Sequence, residues 1–275
     1  MQEERKSRVQ SQQQKKQQQT KLLVLVLVVV LIGACAVLFL HGAGESETPE
    51  DVAPPEEIVD TDITSDANVT EPEVIVPVVS EEDSWKTVLV NNSHALADGY
   101  VPELVTVDNT NFKFDARAAE DLNAMLQDAR AEGLAPMICS SYRAWERQTA
   151  LFEKQVAKQQ ATGLSYEEAY EKAKTVVAYP GTSEHQTGLA TDIVATSHQL
   201  LDDSQAETAE QQWLMENCWK YGFILRYPLG KSEYTGIIYE PWHYRYVGKE
   251  VAQYITENDL CLEEYWQLVE NQQAQ

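Results

Sequence analysis

The chain has 275 residues, a formal net charge of −23 at pH 7 and four cysteines. This excess of acids argues against nucleic acid as a partner, because phosphate backbones require basic surfaces. Three of the cysteines (Cys139, Cys218 and Cys261) follow the apolar N-terminal run, and an odd number implies no disulfide framework. A Cys139–Cys218 pair stays open, but small buried apolar side chains are the simpler interpretation.

An uncharged run of 19 residues, rich in Leu and Val, covers 22–40. Because an α-helix rises about 1.5 Å per residue, this run is just long enough to cross a hydrocarbon core of about 30 Å. Residues 1–21 carry a net charge of +4, whereas 41–84 contain fourteen acids and no Lys or Arg. The positive-inside rule therefore predicts a single-pass cell-membrane anchor with a cytoplasmic N-terminus.

Two other fates of this run stay open. A cleaved signal peptide normally has an apolar core of 7–15 residues, shorter than this one. The stretch ending at Cys35 is similar to a lipidation site, but the apolar run continues past Cys35 to Leu40. All three alternatives place the rest of the chain outside the membrane.

Composition divides the chain into four parts. Residues 1–21 form a basic, Gln-rich tail, and 22–40 form the anchor. Residues 41–84 are acidic and contain five of the ten prolines, which is typical of a disordered, extended linker. Residues 85–275 retain a charge of −13 and all six tryptophans, and their length suits one domain with a sizeable core.

Hydrophobic periodicity and capping signals predict an α+β domain with a small, mainly antiparallel sheet flanked by helices. Asp115 is the predicted cap of the first helix, and Ser165 opens a capping box. The predicted helices are 115–132, 143–160, 165–180, 208–221, 249–258 and 262–271. The predicted strands are 85–90, 135–140, 189–194, 223–226, 236–239 and 243–247.

Two short motifs carry the chemistry. Residues 183–192 read SEHQTGLATD, and 240–245 read EPWHYR. His185, His243 and Asp192 are the ligand types of a catalytic zinc that keeps one position open for water. Glu240 is then available as the general base. The sequence therefore predicts a Zn²⁺ hydrolase.

These motifs resemble the VanY-type zinc D-alanyl-D-alanine carboxypeptidases, which are related to the hedgehog and lysostaphin zinc peptidases. The resemblance extends over about 85–265 and includes the stretches 88–91, 140–143, 221–228 and 235–248. It implies the hedgehog and D-Ala-D-Ala-peptidase type of fold. It also implies metallocarboxypeptidase activity on the stem peptides of peptidoglycan.

The resemblance also implies roles for individual residues. His185, Asp192 and His243 would bind zinc, and Glu240 would be the catalytic base. Arg143 would hold substrate and stabilise developing negative charge, a role that suits a guanidinium facing a free carboxylate.

Further residues have weaker predictions. Ser183 lies two residues before a predicted ligand and is expected to contact substrate, and Gln148 is a weaker substrate-binding candidate. Arg226 and Arg245 are expected to form structural ion pairs, while His94 and His198 are expected in loop or surface positions.

Three functions follow from these residues. The first is a membrane-anchored, extracytoplasmic D,D-carboxypeptidase that removes the terminal D-alanine from stem pentapeptides, and it is expected to be a monomer. The second is an L,D-carboxypeptidase on tetrapeptides, because the metal site does not set stereochemistry. The third is a non-catalytic wall-binding module with a structural zinc, against which Glu240 and Arg143 argue.

Overall fold

The computed structural model describes residues 75–274. The predicted tail 1–21, the predicted anchor 22–40 and most of the predicted linker 41–84 lie outside the described residues. Within 75–274 we find no helix whose length and hydropathy would allow it to span a membrane. Contacts of the folded part already begin before residue 85, since Val76 is buried and its N–H donates to Gln272 Oε1 at 2.8 Å.

The described chain combines helices with two small antiparallel sheets, as the sequence predicts. The strands are β1 (Leu104–Thr106), β2 (Lys113–Asp115), β3 (Pro136–Ser140), β4 (Ala190–Ala195), β5 (Phe223–Leu225) and β6 (His243–Tyr246). The helices are α1 (Ala119–Ala131), α2 (Trp145–Gln160), α3 (Tyr166–Lys174), α4 (Ala209–Asn217), α5 (Ser232–Thr235), α6 (Lys249–Glu257) and α7 (Leu262–Gln273).

The main sheet has four strands in the order β3-β4-β6-β5, and every neighbouring pair is antiparallel. Its register places Ser140 of β3, Asp192 of β4 and His243 of β6 side by side across three strands. Residues that are distant in sequence therefore meet at one point of the sheet.

The largest core cluster lies between α1 and this sheet. Helix α1 contributes Leu122, Met125 and Leu126, all fully buried, and the sheet contributes Ile193 and Tyr244. A separate cluster packs α6 against α7, and a third joins α2 to α3. Burial of these apolar faces, more than intrinsic propensity, holds the short helices in place.

The capping box at Ser165 is confirmed, because its hydroxyl accepts from Glu168 N–H while the Glu168 carboxylate accepts from Ser165 N–H. The helix that it opens ends at Lys174, earlier than predicted. Cys139, Cys218 and Cys261 are free, so the described part of the chain contains no disulfide.

Three local predictions are wrong. Asp115 does not cap α1: it ends β2, and its carboxylate pairs with Arg117 at 2.6 Å. Residues 85–90 are not a strand but begin with a 3₁₀ turn, Ser84–Lys86. Residues 236–239 also form no strand, since they follow α5 as an irregular segment.

Candidate metal centre and catalytic cavity

Three elements bring the predicted zinc ligands together. Asp192 and His243 are directly paired across β4 and β6. His185 belongs to a 3₁₀ turn, Glu184–Thr187, that leads into β4 through Gly188. Gly188 has a φ of +76°, and a Cβ there would lie 3.2 Å from the backbone nitrogen of Asp115. A glycine is therefore needed where this turn bends back towards β2.

The three side chains converge on one buried point. Asp192 is 2% exposed, and each histidine is 3% exposed. His185 Nε2 lies 3.3 Å from Asp192 Oδ2, and His243 Nδ1 lies 3.0 Å from Asp192 Oδ1. One ligand atom from each residue lies within 4.8 Å of the others, which is close enough for all three to bind a single ion.

The hydrogen bonds leave the correct atoms available for a cation. His185 Nδ1 lies 2.8 Å from the carbonyl oxygen of Ser141, a contact that makes Nδ1 the donor and leaves Nε2 facing the cluster. Asp192 Oδ1 is buried, and its 3.0 Å contact with His243 Nδ1 is not aligned as a hydrogen bond, so no described residue donates a well-oriented hydrogen bond to it. A buried carboxylate oxygen without a donor is costly, and a bound zinc removes that cost. Two imidazoles and one carboxylate therefore fit Zn²⁺ with a position left open.

Burial and neighbouring charges set the protonation of these groups. Burial, assisted by Arg143, lowers the pKa of His185 to about 4, so this ring is neutral at pH 7. Burial alone would lower the pKa of His243, but Asp192 and Glu184 raise it to about 9. Burial raises the pKa of Glu240 to about 8. The metal-free site therefore holds protons at neutral pH.

Zinc binding is expected to release protons at pH 7. His243 is protonated below about pH 9 and Glu240 below about pH 8 in the metal-free protein, and a cation displaces a proton from its ligand. Apparent zinc affinity should consequently increase as the pH rises from about 6 to 9. Calorimetric titration in two buffers of different ionisation enthalpy counts the protons, and a count of zero at pH 7 would contradict this assignment of charges.

Glu240 approaches the cluster from the segment just before β6. Its carboxylate oxygen Oε2 lies 3.7 Å from His243 Nδ1, and the side chain accepts no hydrogen bond from within 75–274. The carboxyl group faces a cavity of about 250 Å³ that it shares with the three predicted ligands. It is therefore positioned to exchange a proton with a water or substrate in that cavity.

Arg143 lines the same cavity from the segment between β3 and α2. Its Nη2 donates to Asp192 Oδ2 at 2.7 Å, and its Nε donates to Ser140 Oγ at 2.9 Å. Its Nη1 makes only a long contact, 3.5 Å, with Gln148 Oε1. Hydrogen bonds from Nε and Nη2 therefore fix the guanidinium in place, while Nη1 remains available to donate a hydrogen bond to a ligand.

The two weaker candidates differ in position. Ser183 lines the cavity, as do Tyr227 and Trp242. Gln148 is fully buried and lies outside the cavity lining, and its amide joins Arg143 to the carbonyl oxygen of Ala178 at 2.6 Å. Its geometry suits the positioning of Arg143 better than contact with substrate.

The sequence analysis overlooked Glu184. Its carboxylate is fully buried, and Oε1 accepts from Arg226 Nε at 2.8 Å and from Arg245 Nη1 at 2.6 Å. Its Oε2 faces His243 Nε2 at 3.7 Å. Arg226 also forms a double hydrogen bond with Glu263, so both arginines are structural ion-pair partners, as expected. Glu184 directly follows the stretch Pro-Gly-Thr-Ser and gave no sequence signal, because its partners lie 42 and 61 residues away.

The other described histidines lie away from the cavity lining. His94 is exposed and bonds to Asn91, and His198 lies 3.1 Å from Asp202. Both match the loop positions expected for them.

Comparison with known proteins places the chain in a family. The family model VanY, described as "D-alanyl-D-alanine carboxypeptidase", matches residues 111–249. The chain belongs to the VanY family. It is 41% identical over 191 residues to the putative carboxypeptidase YodJ of Bacillus subtilis (strain 168), covering 66% of this chain and 67% of YodJ. It is 42% identical over 187 residues to a D-alanyl-D-alanine carboxypeptidase of Enterococcus faecalis (strain ATCC 700802 / V583), covering 67% of each.

Solved structures agree with this family assignment. A variant of the vancomycin resistance D,D-pentapeptidase VanY in complex with Zn(II) is 41% identical, with a TM-score of 0.60, and the match covers 66% of this chain and 99% of that chain. The LD-carboxypeptidase LdcB is also 41% identical, with a TM-score of 0.58 and coverage of 65% and 84%. This VanY-family protein is therefore a zinc metallocarboxypeptidase.

Proposed function

We propose that this protein is a membrane-anchored, extracytoplasmic D,D-carboxypeptidase that removes the terminal D-alanine from peptidoglycan stem peptides. The observation that carries the proposal is the convergence of His185, Asp192 and His243 on a cavity that also contains Glu240 and Arg143. A VanY-type structure, VanYB in complex with D-alanine-D-alanine, supports this class of substrate at 41% identity.

His185, Asp192 and His243 would hold the zinc. When bound, Zn²⁺ supplies a Lewis acid that polarises the scissile carbonyl and lowers the pKa of a coordinated water. Glu240 takes the proton from the attacking water and delivers it to the departing amine. Burial raises the pKa of Glu240 to about 8, which suits the donor step, while a nearby cation favours the ionised form needed for the acceptor step.

Arg143 meets the negative charge of the substrate. The terminal carboxylate of a carboxypeptidase substrate is a planar anion, and a guanidinium binds such a group with two parallel hydrogen bonds. The contact with Asp192 fixes the guanidinium beside a predicted metal ligand, so Arg143 also connects the substrate position to the metal position.

Replacing Arg143 with lysine is expected to lower kcat/KM roughly 10- to 150-fold. The positive charge remains, but lysine lacks the two parallel N–H donors of the guanidinium. One charge-assisted hydrogen bond contributes about 1.5–3 kcal/mol, which corresponds to that loss. A double cycle of enzyme (wild type, Arg143→Ala) against substrate (free acid, C-terminal amide) locates the contact. Strong non-additivity is expected. If the two losses simply add, Arg143 does not bind the terminal carboxylate and acts elsewhere, for example on the scissile carbonyl oxygen.

The proposed D,D-carboxypeptidase and its alternative differ in the stereochemistry of the peptide bond that they cleave. The similarity to LdcB favours an L,D-carboxypeptidase as the alternative. Incubating the zinc-loaded full-length protein with synthetic stem pentapeptide and tetrapeptide, and identifying the released amino acid, tests the proposal. D-Alanine from the pentapeptide supports D,D activity, whereas release from the tetrapeptide alone supports L,D activity. A non-catalytic wall-binding module would not require Glu240 or Arg143 and would release no amino acid from either peptide.

The extracytoplasmic location is part of the proposal and rests on the charge asymmetry around 22–40. Protease added to intact, wall-stripped cells is expected to remove the folded domain, while a cytoplasmic marker stays protected. Protection of both would contradict this topology. A diacylglycerol found on Cys35 would instead favour the lipoprotein alternative.

A further inference from the structure

A second cavity, of about 500 Å³, lies between α2 and α3 and is lined by aromatic rings. We call it the aromatic groove. Phe152 is buried beneath it and contacts Tyr170 and Tyr179 edge to face, with ring centroids 5.1 and 5.4 Å apart. Tyr166 is 63% exposed, Trp145 is 45% exposed and Tyr179 is 43% exposed. Three large rings of the groove lining are therefore exposed to solvent.

The aromatic groove adjoins the catalytic cavity. Helix α2 supplies Leu151 to the catalytic cavity and its neighbour Phe152 to the groove. The segment after α3 does the same, with Ala178 in the cavity and Tyr179 in the groove.

A third cavity, of about 250 Å³, is lined by both Arg143, which also lines the catalytic cavity, and Trp145, which also lines the groove. A substrate longer than the catalytic cavity therefore has a continuous surface on which to extend.

The lining of the groove is aromatic and polar but nearly uncharged. Glu153 is the one charged side chain among its described lining residues, and none of them is Lys or Arg. The hydroxyls of Tyr166 and Tyr179 make no hydrogen bond to any residue of 75–274. This lining offers no cation to an acidic peptide. It suits a neutral ligand with apolar faces and hydroxyl groups, which is the chemistry of a pyranose ring.

We propose that the aromatic groove binds an N-acetylated sugar of the glycan strand to which the stem peptide is attached. This inference rests on the proposed function, because it assigns the part of the substrate beyond the cleaved bond. The exposed rings stack on the C–H faces of the sugar, and the tyrosine hydroxyls and Glu153 exchange hydrogen bonds with its hydroxyl and amide groups.

The test compares kcat/KM of the full-length protein for two substrates, a free stem pentapeptide and the same peptide attached to a disaccharide. Tyr166→Ala is expected to lower the ratio of glycan-linked to free-peptide efficiency roughly tenfold. Tyr166→Phe, which keeps the ring, should retain most of the ratio. Tyr234→Ala is the matched control, since Tyr234 is 48% exposed and lies outside both cavities, and it should leave the ratio unchanged.

The outcomes separate this inference from the proposed function. Failure of the wild-type protein to cleave either substrate would overturn the proposed function. Normal cleavage with the same ratio in wild type, Tyr166→Ala and Tyr234→Ala would overturn the groove inference alone. A ratio change that appears instead with a glycan-free, cross-linked peptide dimer would assign the groove to peptide and also overturn it.

A direct binding measurement does not depend on catalysis. A trimer of N-acetylglucosamine, titrated into wild-type protein, is expected to change tryptophan fluorescence through Trp145, and Trp145→Phe should remove most of that change. Saturable binding that is weakened by Tyr166→Ala supports the inference. Identical binding curves for wild type and Tyr166→Ala would contradict it.

Discussion

Replacing Glu240 with glutamine is expected to leave zinc bound and to lower kcat on the order of 10²–10⁴-fold. Glutamine has nearly the same shape but does not accept a proton from water. Glu240 lies 3.7 Å from His243 Nδ1 rather than within the ligand cluster itself, so its loss should spare the metal. The measurement is steady-state turnover together with zinc content on the same preparation.

The matched control is Glu233→Gln, an exposed glutamate of α5 outside the cavity, which should behave as wild type. Near-normal turnover in the zinc-loaded Glu240→Gln protein would show that another group is the base. Loss of zinc together with activity would place Glu240 among the ligands instead.

Removing a ligand imidazole is expected to abolish both zinc binding and activity. His243→Ala and His185→Ala each leave two ligands for an ion that structural and catalytic sites hold with at least three protein groups. Zinc should raise the thermal midpoint of the wild-type protein and leave that of either variant nearly unchanged, because a ligand stabilises only the state that binds it. Metal analysis and thermal unfolding with and without zinc are the readouts.

His94→Ala serves as the matched control, since His94 is exposed and lies outside the catalytic cavity. It should retain one zinc and the zinc-dependent rise in the thermal midpoint. Wild-type zinc stoichiometry in both His185→Ala and His243→Ala would contradict the assigned ligand set.

The strands that carry the site were predictable because both are short runs rich in β-branched, small or aromatic residues, with Gly188 before β4 and Gly248 after β6. Both β4 and β6 fall where the sequence predicts strands, so Asp192 and His243 were expected in sheet positions. Their direct pairing was not predictable, because register depends on how the strands meet in the folded protein. The resemblance of the motifs to the family predicted that the three ligands share one metal. The pairing of β4 with β6 explains how Asp192 and His243 come together.

The failures have a common physical cause in long-range contacts. The segment 85–90 is apolar enough to suggest a strand, but the carbonyl oxygens of Lys86 and Val88 accept hydrogen bonds from the buried guanidinium of Arg245 instead. Arg245 in turn pairs with Glu184, whose burial gave no local signal. A polar network assembled from three distant segments overrides local propensity, and a single sequence does not reveal it.

The most direct test of this account is a crystal structure of the zinc-loaded protein with anomalous scattering recorded on both sides of the zinc absorption edge. We expect one strong peak within bonding distance, about 2.0–2.2 Å, of His185 Nε2, His243 Nδ1 and an Asp192 carboxylate oxygen, with Glu240 facing the open position. A peak at other residues, or none in this cavity from active protein, would contradict the assignment of His185, Asp192 and His243 as the catalytic zinc ligands.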